Sequence, residues 1–481
     1  MNASIRLIRI LLLACLLGFS MGPSSYAASE TAAVLDGEST IRPLPEHGRV
    51  AVEIIRDLKG NHYRKLLIDD DLSSKVFDRL LEDIDPSRMY FTRADLGQFE
   101  RYRYRIDDSL LRGDVSIPFK LFNRYQKRLT GRLSFCLGLL EKGIATIDLE
   151  KDEHFETDRE KARWPEDEKE LEDLWRKSLK NEVISMMLEG KSAPEVQKDL
   201  SKRYSSQLKR VEQTTSEDAF QIAMNALTSC FDPHTTYMSP RSSENFSINM
   251  SLSLEGIGAM LTSENEYTKV VRLVPGGPAE KSGQLRPNDR IVGVGQGAEG
   301  EIVDVVGWRL DDVVDLIRGP KGTPVRLKII PASATDEHQT RIVKIMRNTV
   351  SLEDQAASKD IIEIDRDGRK YRIGVVRVPT FYLDVKAMQS HLDDFKSSTR
   401  DVRRLLEELQ KQGVDGVVVD LRNNGGGLLH EANTLTGLFI KTGPTVQVRS
   451  ADGYTETLYD RDPTIVYQGP LATAINRLSA S

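Results

Sequence analysis

The run Val417-Val418-Val419-Asp420-Leu421-Arg422-Asn423-Asn424-Gly425-Gly426-Gly427 constrains this chain more than any other stretch. Three consecutive β-branched residues favour a buried strand. Three consecutive glycines then give a backbone with free φ and no Cβ, which suits a sharp turn or a close approach to another group. Leu428, Ala432, Leu435 and Phe439 recur at helical spacing, so a helix is expected to start at the glycines and to aim its unbonded first N–H groups back at them. A strand, a glycine turn and a helix N-terminus form an anion site. An isolated Gly-Gly-Gly nonetheless fits a flexible loop as well as an oxyanion hole.

The surroundings of that run are α/β in pattern. Residues 371–378 read as a strand, and Val402, Leu405, Leu406 and Leu409 follow on one helical face that Gly413 terminates. With the strand at Gly416 they make a β-α-β unit, whose crossover is right-handed. Val446, Val448 and residues 471–475 add strands before the sequence closes on Leu478-Ser479-Ala480-Ser481.

Upstream, from about Glu46 to Cys230, the pattern is helical. Val76, Leu80, Leu81 and Ile84 share a face. Leu171, Leu174, Trp175, Leu179, Val183, Ile184 and Met187 continue a stripe between Pro165, where a helix is expected to start, and Gly190, where it ends. The charged run from Lys151 to Glu172 reads as solvated helix faces. Phe231-Asp232-Pro233-His234-Thr235-Thr236-Tyr237-Met238 interrupts the pattern. Its aspartate and histidine fit either catalysis or a cap and turn, and the turn is the expectation.

Composition narrows the class. With 39% apolar and 29% charged residues and a net charge of −6, the chain is globular, and nothing favours nucleic acid or an anionic membrane surface. Arg6 and Arg9 ahead of an apolar run to Phe19, then Ser25-Tyr26-Ala27, predict a signal peptide cleaved after Ala27, with no transmembrane segment left afterwards. A lipid-modified Cys15 is the lesser alternative. Cys136 and Cys230 are expected as two free thiols, although a pair is open. No metal site and no cofactor is expected: there is no CxxC or HExxH, and Gly295-Gln296-Gly297-Ala298-Glu299-Gly300 matches a dinucleotide fingerprint in letters without the helix it needs. Likewise, Gly18-Phe19-Ser20-Met21-Gly22 spells a nucleophile elbow only inside the leader.

Between Met238 and Pro331 the Gly256-Ile257-Gly258-Ala259 loop, the Gly276-Gly277-Pro278-Ala279 turn, the strand start at Asn288-Asp289-Arg290-Ile291 and a helix over 310–317 resemble a PDZ domain in circularly permuted order. PDZ domains add a peptide C-terminus as a strand and hold its carboxylate in an amide nest. The resemblance puts Gly256, Ile257, Gly258 and Ala259 at that nest and Val313, Leu316 and Ile317 around an apolar side-chain pocket.

Asp420-Leu421-Arg422-Asn423-Asn424-Gly425-Gly426-Gly427, with Gly437-Leu438-Phe439-Ile440 and Asn476-Arg477-Leu478-Ser479-Ala480-Ser481, resembles the C-terminal processing peptidases of family S41, closest to their periplasmic tail-specific branch. The resemblance implies a multidomain α+β protein: a leader over 1–27, a helical N-terminal domain over 28–235, a PDZ domain over 236–333 and an incomplete α/β, crotonase/ClpP-like serine protease core over 334–481. It implies an endopeptidase that takes protein substrates by their apolar C-termini, a lipoprotein adaptor as partner, and a PDZ domain that gates the active site. Ser481 falls on the nucleophile of the family's Ser-Ala-Ser-Ala-Ser-Glu run, and Gly426 and Gly427 on the oxyanion donors. The lysine base of the family lies about twenty-five residues further on, past the end of this sequence, so the chain is expected to be C-terminally truncated and inactive alone. His430, in the first turn of a helix, is expected to face solvent rather than replace that base. The alternative is a non-catalytic peptide-binding module or a decayed protease.

Overall fold

The computed structural model describes residues 40–336, 338–390 and 395–480. The expected leader and Ser481 lie outside the described residues. Everything from Ile41 onward forms one compact unit.

Its first part is all-helical: α1 (Pro45–Asn61), α2 (Asp70–Ile84), α3 (Arg93–Phe99), α4 (Ile106–Leu111), α5 (Ser116–Glu141), α6 (Glu168–Leu188), α7 (Ala193–Glu212) and α8 (Ser216–Phe231). The stripe predicted on α2 is buried throughout, and together with Phe220, Leu227 and Phe231 of α8 it forms the main core. Start signals are local. Asp69, Thr92, Asp167 and Thr215 each accept a main-chain N–H of the first turn that follows. At α6 the cap is therefore Asp167, and Pro165 contributes instead a carbonyl that accepts from Arg93. Met187, at the end of the predicted stripe, is 38% exposed. The Phe231–Met238 segment is a turn, with the Asp232 carboxylate accepting the N–H of His234, whose side chain is exposed. Cys136 and Cys230 are free, and burial pushes the Cys136 thiol up to about 11.

Helix α9 (Pro240–Ser251) leads into a β domain. It comprises β1 (Ser253–Gly256), β2 (Ala259–Glu264), β3 (Tyr267–Leu273), the short α10 (Pro278–Ser282), β4 (Arg290–Gln296), β5 (Ile302–Asp304), α11 (Leu310–Ile317), β6 (Pro324–Ile330), β7 (Arg341–Met346) and β8 (Asn348–Ser351). The sheet order is β2-β3-β4-β6-β7, with β5 on β4, so β2 is an edge strand. β1 and β8 pair separately and antiparallel. Helix α11 buries Val313 and Ile317 against the sheet and points Asp312 and Asp315 at Arg241 of α9, each at 2.7 Å.

The last part carries β9 (Ser358–Arg366), β10 (Arg369–Arg377), α12 (Val385–Gln389), α13 (Ser398–Lys411), β11 (Gly416–Asp420), α14 (Leu429–Gly437), β12 (Gly443–Arg449), β13 (Thr455–Asp460) and β14 (Leu471–Ala474). Strands β14-β11-β10-β9 form one sheet in that order. β10, β11 and β14 run parallel, with α13 as the crossover between β10 and β11. Val402, Leu405, Leu406 and Leu409 are buried under it. β12 and β13 make a separate hairpin. Among the described residues no helix is long and apolar enough to cross a membrane.

Candidate functional site

In a parallel sheet the loops that leave the carboxyl ends of the strands form the usual reaction crevice. Here two such loops meet. One leaves β11 through Leu421 to Gly427, and the other leaves β14 through Ile475 to Ala480. The strand ends are joined by the Leu421 N–H to the Ala474 carbonyl, at 2.8 Å. Beyond them, Asn423 and Asn476 exchange hydrogen bonds at 3.0 and 2.7 Å, and the Ser479 hydroxyl donates to the Leu421 carbonyl at 2.7 Å. The Ala480 N–H donates to the Asn424 carbonyl at 2.8 Å. Asn423 reaches this arrangement with φ 63, a left-handed conformation that asparagine tolerates better than most residues.

Asn424 is the brace of the glycine turn. It is fully buried, its amide Nδ2 donates to the Val378 carbonyl at 2.9 Å, and its Oδ1 accepts the Gly426 N–H at 2.8 Å. This alters the expectation for Gly426. Its N–H is engaged and the residue is buried, so it is not an available oxyanion donor in this conformation. Gly427 is exposed and its N–H has no partner among the described residues. Gly427 packs so tightly on the adjoining strand segment that a Cβ there would lie 2.4 Å from the Phe381 carbonyl oxygen. Phe381 in turn donates to the Gly426 carbonyl, at 3.0 Å, and accepts from Leu428, at 2.9 Å.

Helix α14 starts directly after the turn, as the periodicity predicts, but ends at Gly437 before Phe439. Its first turn carries Glu431, 3% exposed, whose carboxylate accepts from the Ser397 and Ser398 hydroxyls and the Thr399 N–H at 2.8 to 2.9 Å. Glu431 thus ties the start of α14 to the start of α13. Two helix N-termini converge on one buried carboxylate, which their positive dipole ends favour. His430 is exposed. Asp420, at the end of β11, is held below the usual carboxylate range by the Arg422 guanidinium, 2.8 Å away.

The second feature is a groove of about 580 Å³ in the β domain. It lies between the free edge of β2 and helix α11, with Ile248 and Asn249 of α9 and residues 349–355 closing it. At its end sits the Gly256-Ile257-Gly258-Ala259 loop. The Ile257 and Gly258 carbonyls are engaged by Ala279 and Val274, at 2.7 and 2.9 Å, while the N–H groups of Ile257 and Gly258 have no partner among the described residues. Gly258 has φ 72, and a Cβ there would meet the Gly277 Cα at 3.3 Å. The Ile257 side chain is buried in the domain core, so that residue offers only its backbone. Of the predicted pocket residues, Ile317 lines the groove. Val313 is fully buried and Leu316 packs against the domain core, and Val314 is the helix residue that faces the groove in their place.

Sequence reasoning passed over Arg347. It is 4% exposed, and its guanidinium donates to the Ile317 and Leu316 carbonyls at 2.8 and 3.0 Å, to Gln296 at 2.6 Å and to Thr323 at 3.0 Å. It therefore caps the carboxyl end of α11, where a cation is favoured. Groove and glycine turn are also linked through the backbone: Leu383 donates to Met250 of α9 at 2.8 Å, two residues after the Phe381 that holds Gly426. Among the described residues, no group of three or more His, Cys, Asp or Glu side chains is placed to hold a metal ion.

Three family models match successive parts of the chain. Residues 54–241 match the tail specific protease N-terminal domain, residues 245–330 the PDZ domain and residues 372–481 peptidase family S41. The tail-specific protease of Haemophilus influenzae is 41% identical over 425 residues, which is 88% of this chain and 58% of that protein. The carboxy-terminal processing protease CtpA of Bacillus subtilis is 28% identical over 228 residues, 47% of this chain and 42% of its own. Among solved structures, the PDZ domain of a carboxy-terminal protease from Vibrio cholerae, in complex with peptide, is 51% identical, covers 21% of this chain and 99% of its own, and has a TM-score of 0.20. The chain thus spans a little over half of the Haemophilus relative's length, and over most of its own length it is similar to the tail-specific proteases, with its last part matching peptidase family S41.

Proposed function

We propose that this chain captures the C-terminal tails of proteins in the groove beside β2 and presents them to a serine endopeptidase centre at the Gly425–Gly427 turn, with Ser481 as nucleophile. The observation that carries the reading is the Ala480-to-Asn424 hydrogen bond, which sets the residue before Ser481 against that turn. A tail would add to the open edge of β2, its carboxylate received by the N–H groups of Ile257 and Gly258 and its last side chain by Ile317 and Val314. Such a pocket is aliphatic and favours apolar termini. At the turn, Gly427 is the donor for a developing oxyanion, and Asn424 and Glu431 hold the turn in place.

Hydrolysis also needs a general base for the serine. The family pattern supplies it as a lysine downstream of the nucleophile. The leader-like N-terminus supports a periplasmic location. The Met250–Leu383 and Phe381–Gly426 bonds give tail binding a route to the turn, provided the two arrangements it connects differ in affinity for the tail.

Equilibrium binding tests the capture half. A short labelled peptide ending in Val-Ala-Ala with a free carboxylate is expected to bind the 481-residue chain, and its C-terminal amide to bind at least about tenfold more weakly, because the amide nest then loses its charged acceptor. Equal binding of the two would remove the role of the Ile257 and Gly258 amides.

A further inference from the structure

Next to the groove lies a second depression, of about 550 Å³, on the other side of the Gly276-Gly277 turn. Gly276 and Thr349 line both cavities, so a single turn of backbone separates them. Its side chains include Lys281, Lys321 and Lys344 and no carboxylate. All three lysines are exposed, and none makes an ion pair or a side-chain hydrogen bond among the described residues. Two carboxylates flank it, Glu280, which accepts the Gly276 N–H at 2.7 Å, and Glu255, which accepts the Lys321 N–H at 2.9 Å, so positive charge remains in excess. The lysines come from three separate elements, α10, the loop before β6, and β7.

The three lysines thus leave a local positive excess on a chain whose net charge is −6. The far field of such a chain repels an approaching carboxylate, and a local positive depression reverses that field within a Debye length, about 8 Å at physiological salt. The Gly258 backbone, which ends the groove, packs directly on Gly277 of the shared turn. The positive field therefore lies one backbone turn from the end of the groove that holds the two free amides.

We propose that Lys281, Lys321 and Lys344 are an electrostatic guide that draws the C-terminal carboxylate of an incoming chain onto the Ile257–Gly258 loop. They set how fast a tail is captured and how strongly a free carboxylate is preferred, without touching the bound tail. This rests on the tail-capture reading above. It adds the chemistry of selection, in which termini carrying further acidic side chains associate faster than basic ones of equal apolar character.

Stopped-flow binding of the labelled Val-Ala-Ala peptide to the 481-residue chain tests it, comparing the native sequence with the triple variant Lys281→Gln, Lys321→Gln, Lys344→Gln. Because the three side chains are exposed and unpaired, the variant should unfold in urea at the native midpoint. The expected result is an association rate roughly tenfold lower at low salt, a difference that shrinks toward none at high salt, and a dissociation rate unchanged within about twofold. An unchanged association rate with the same salt slope overturns the guide while leaving tail capture standing. Loss of affinity through faster dissociation also overturns it, since the lysines would then be contacts of the bound peptide. Failure of the native chain to bind the peptide at all overturns the capture reading beneath it.

Discussion

The main-chain N–H of Ala480 donates to the carbonyl of Asn424 across 2.8 Å, bringing the last described residue of the chain onto the turn that leaves β11. Two strands that end side by side make this contact possible. Asp420 and Ala474 are register partners in the parallel pair β11–β14, so the loops that follow them start from one place. From there the Asn423–Asn476 exchange and the Ser479–Leu421 bond keep the two loops together over their length.

The tightness of the turn predicts unequal effects of its glycines. Gly427→Ala forces a Cβ into the Phe381 backbone at a φ of 152 and should destabilise the chain by on the order of 3 kcal/mol. Gly425→Ala meets nothing within 4 Å and should stay within about 0.5 kcal/mol of the native protein. Urea unfolding of both variants measures the difference.

Asn424 is the next test, because its side chain alone satisfies two buried main-chain groups. Asn424→Ala leaves the Gly426 N–H and the Val378 carbonyl without those partners, a cost of about 3 kcal/mol. Asn424→Asp keeps the acceptor for Gly426 but as a carboxylate cannot donate to Val378, whereas its protonated form can, so its urea midpoint should lie nearer the native one at acidic pH than at neutral pH, each compared at the same pH.

Arg347 fixes the carboxyl end of the groove helix. Arg347→Met should cost on the order of 2 kcal/mol of stability by stranding the Ile317 carbonyl, whereas the Leu316 carbonyl keeps the Gln296 amide. It should also weaken peptide binding, since Ile317 lines the groove. Arg347→Lys restores one charge but not the fork, and should recover only part of the affinity. Fluorescence anisotropy titration of the Val-Ala-Ala peptide reads both variants.

The amino end of the same helix is tied to the helical part of the chain by Arg309, which pairs with Asp218 at 2.5 Å. Burial alone would raise the Asp218 carboxyl, but the Arg309 bond and the Thr215 N–H outweigh it and hold the carboxyl below its ordinary value. A depressed carboxylate stabilises the fold at pH above its unfolded value, near 3.9, and that stability is lost as pH falls through the lower folded value. The side chains are partly exposed, so the contribution is at most about 1 kcal/mol. In urea titrations between neutral pH and about pH 2.5, Arg309→Met should lower the midpoint at neutral pH and flatten the acid limb.

How much of this was legible in the sequence follows from which interactions are local. The β-α-β unit was readable because Val417 to Val419 and the Val402 to Leu409 stripe each bury one face through spacing alone, and the structure buries them so. The groove helix over 310–317 was readable for the same reason, and the glycine loop before β2 through its resemblance to a PDZ domain. What spacing does not carry is the direction of a bond. Two glycines in a row offer two N–H groups, and only the fold of Asn424 over them decides that Gly426 is engaged and Gly427 is not. Val313 and Val314 are adjacent and chemically identical, and the helix phase against β4 decides which one faces the groove. Arg347 and Glu431 act across 30 or more residues of sequence, so no local pattern announces them. The run of polar residues between β11 and the glycines is the one signal that pointed toward Asn424.

The most direct measurement is hydrolysis of an unfolded protein with an apolar C-terminal tail, by the full-length protein that carries this sequence and by the same protein with Ser481→Ala. The expected result is cleavage by the first alone, with both still binding the tail. Cleavage that survives Ser481→Ala would contradict the account.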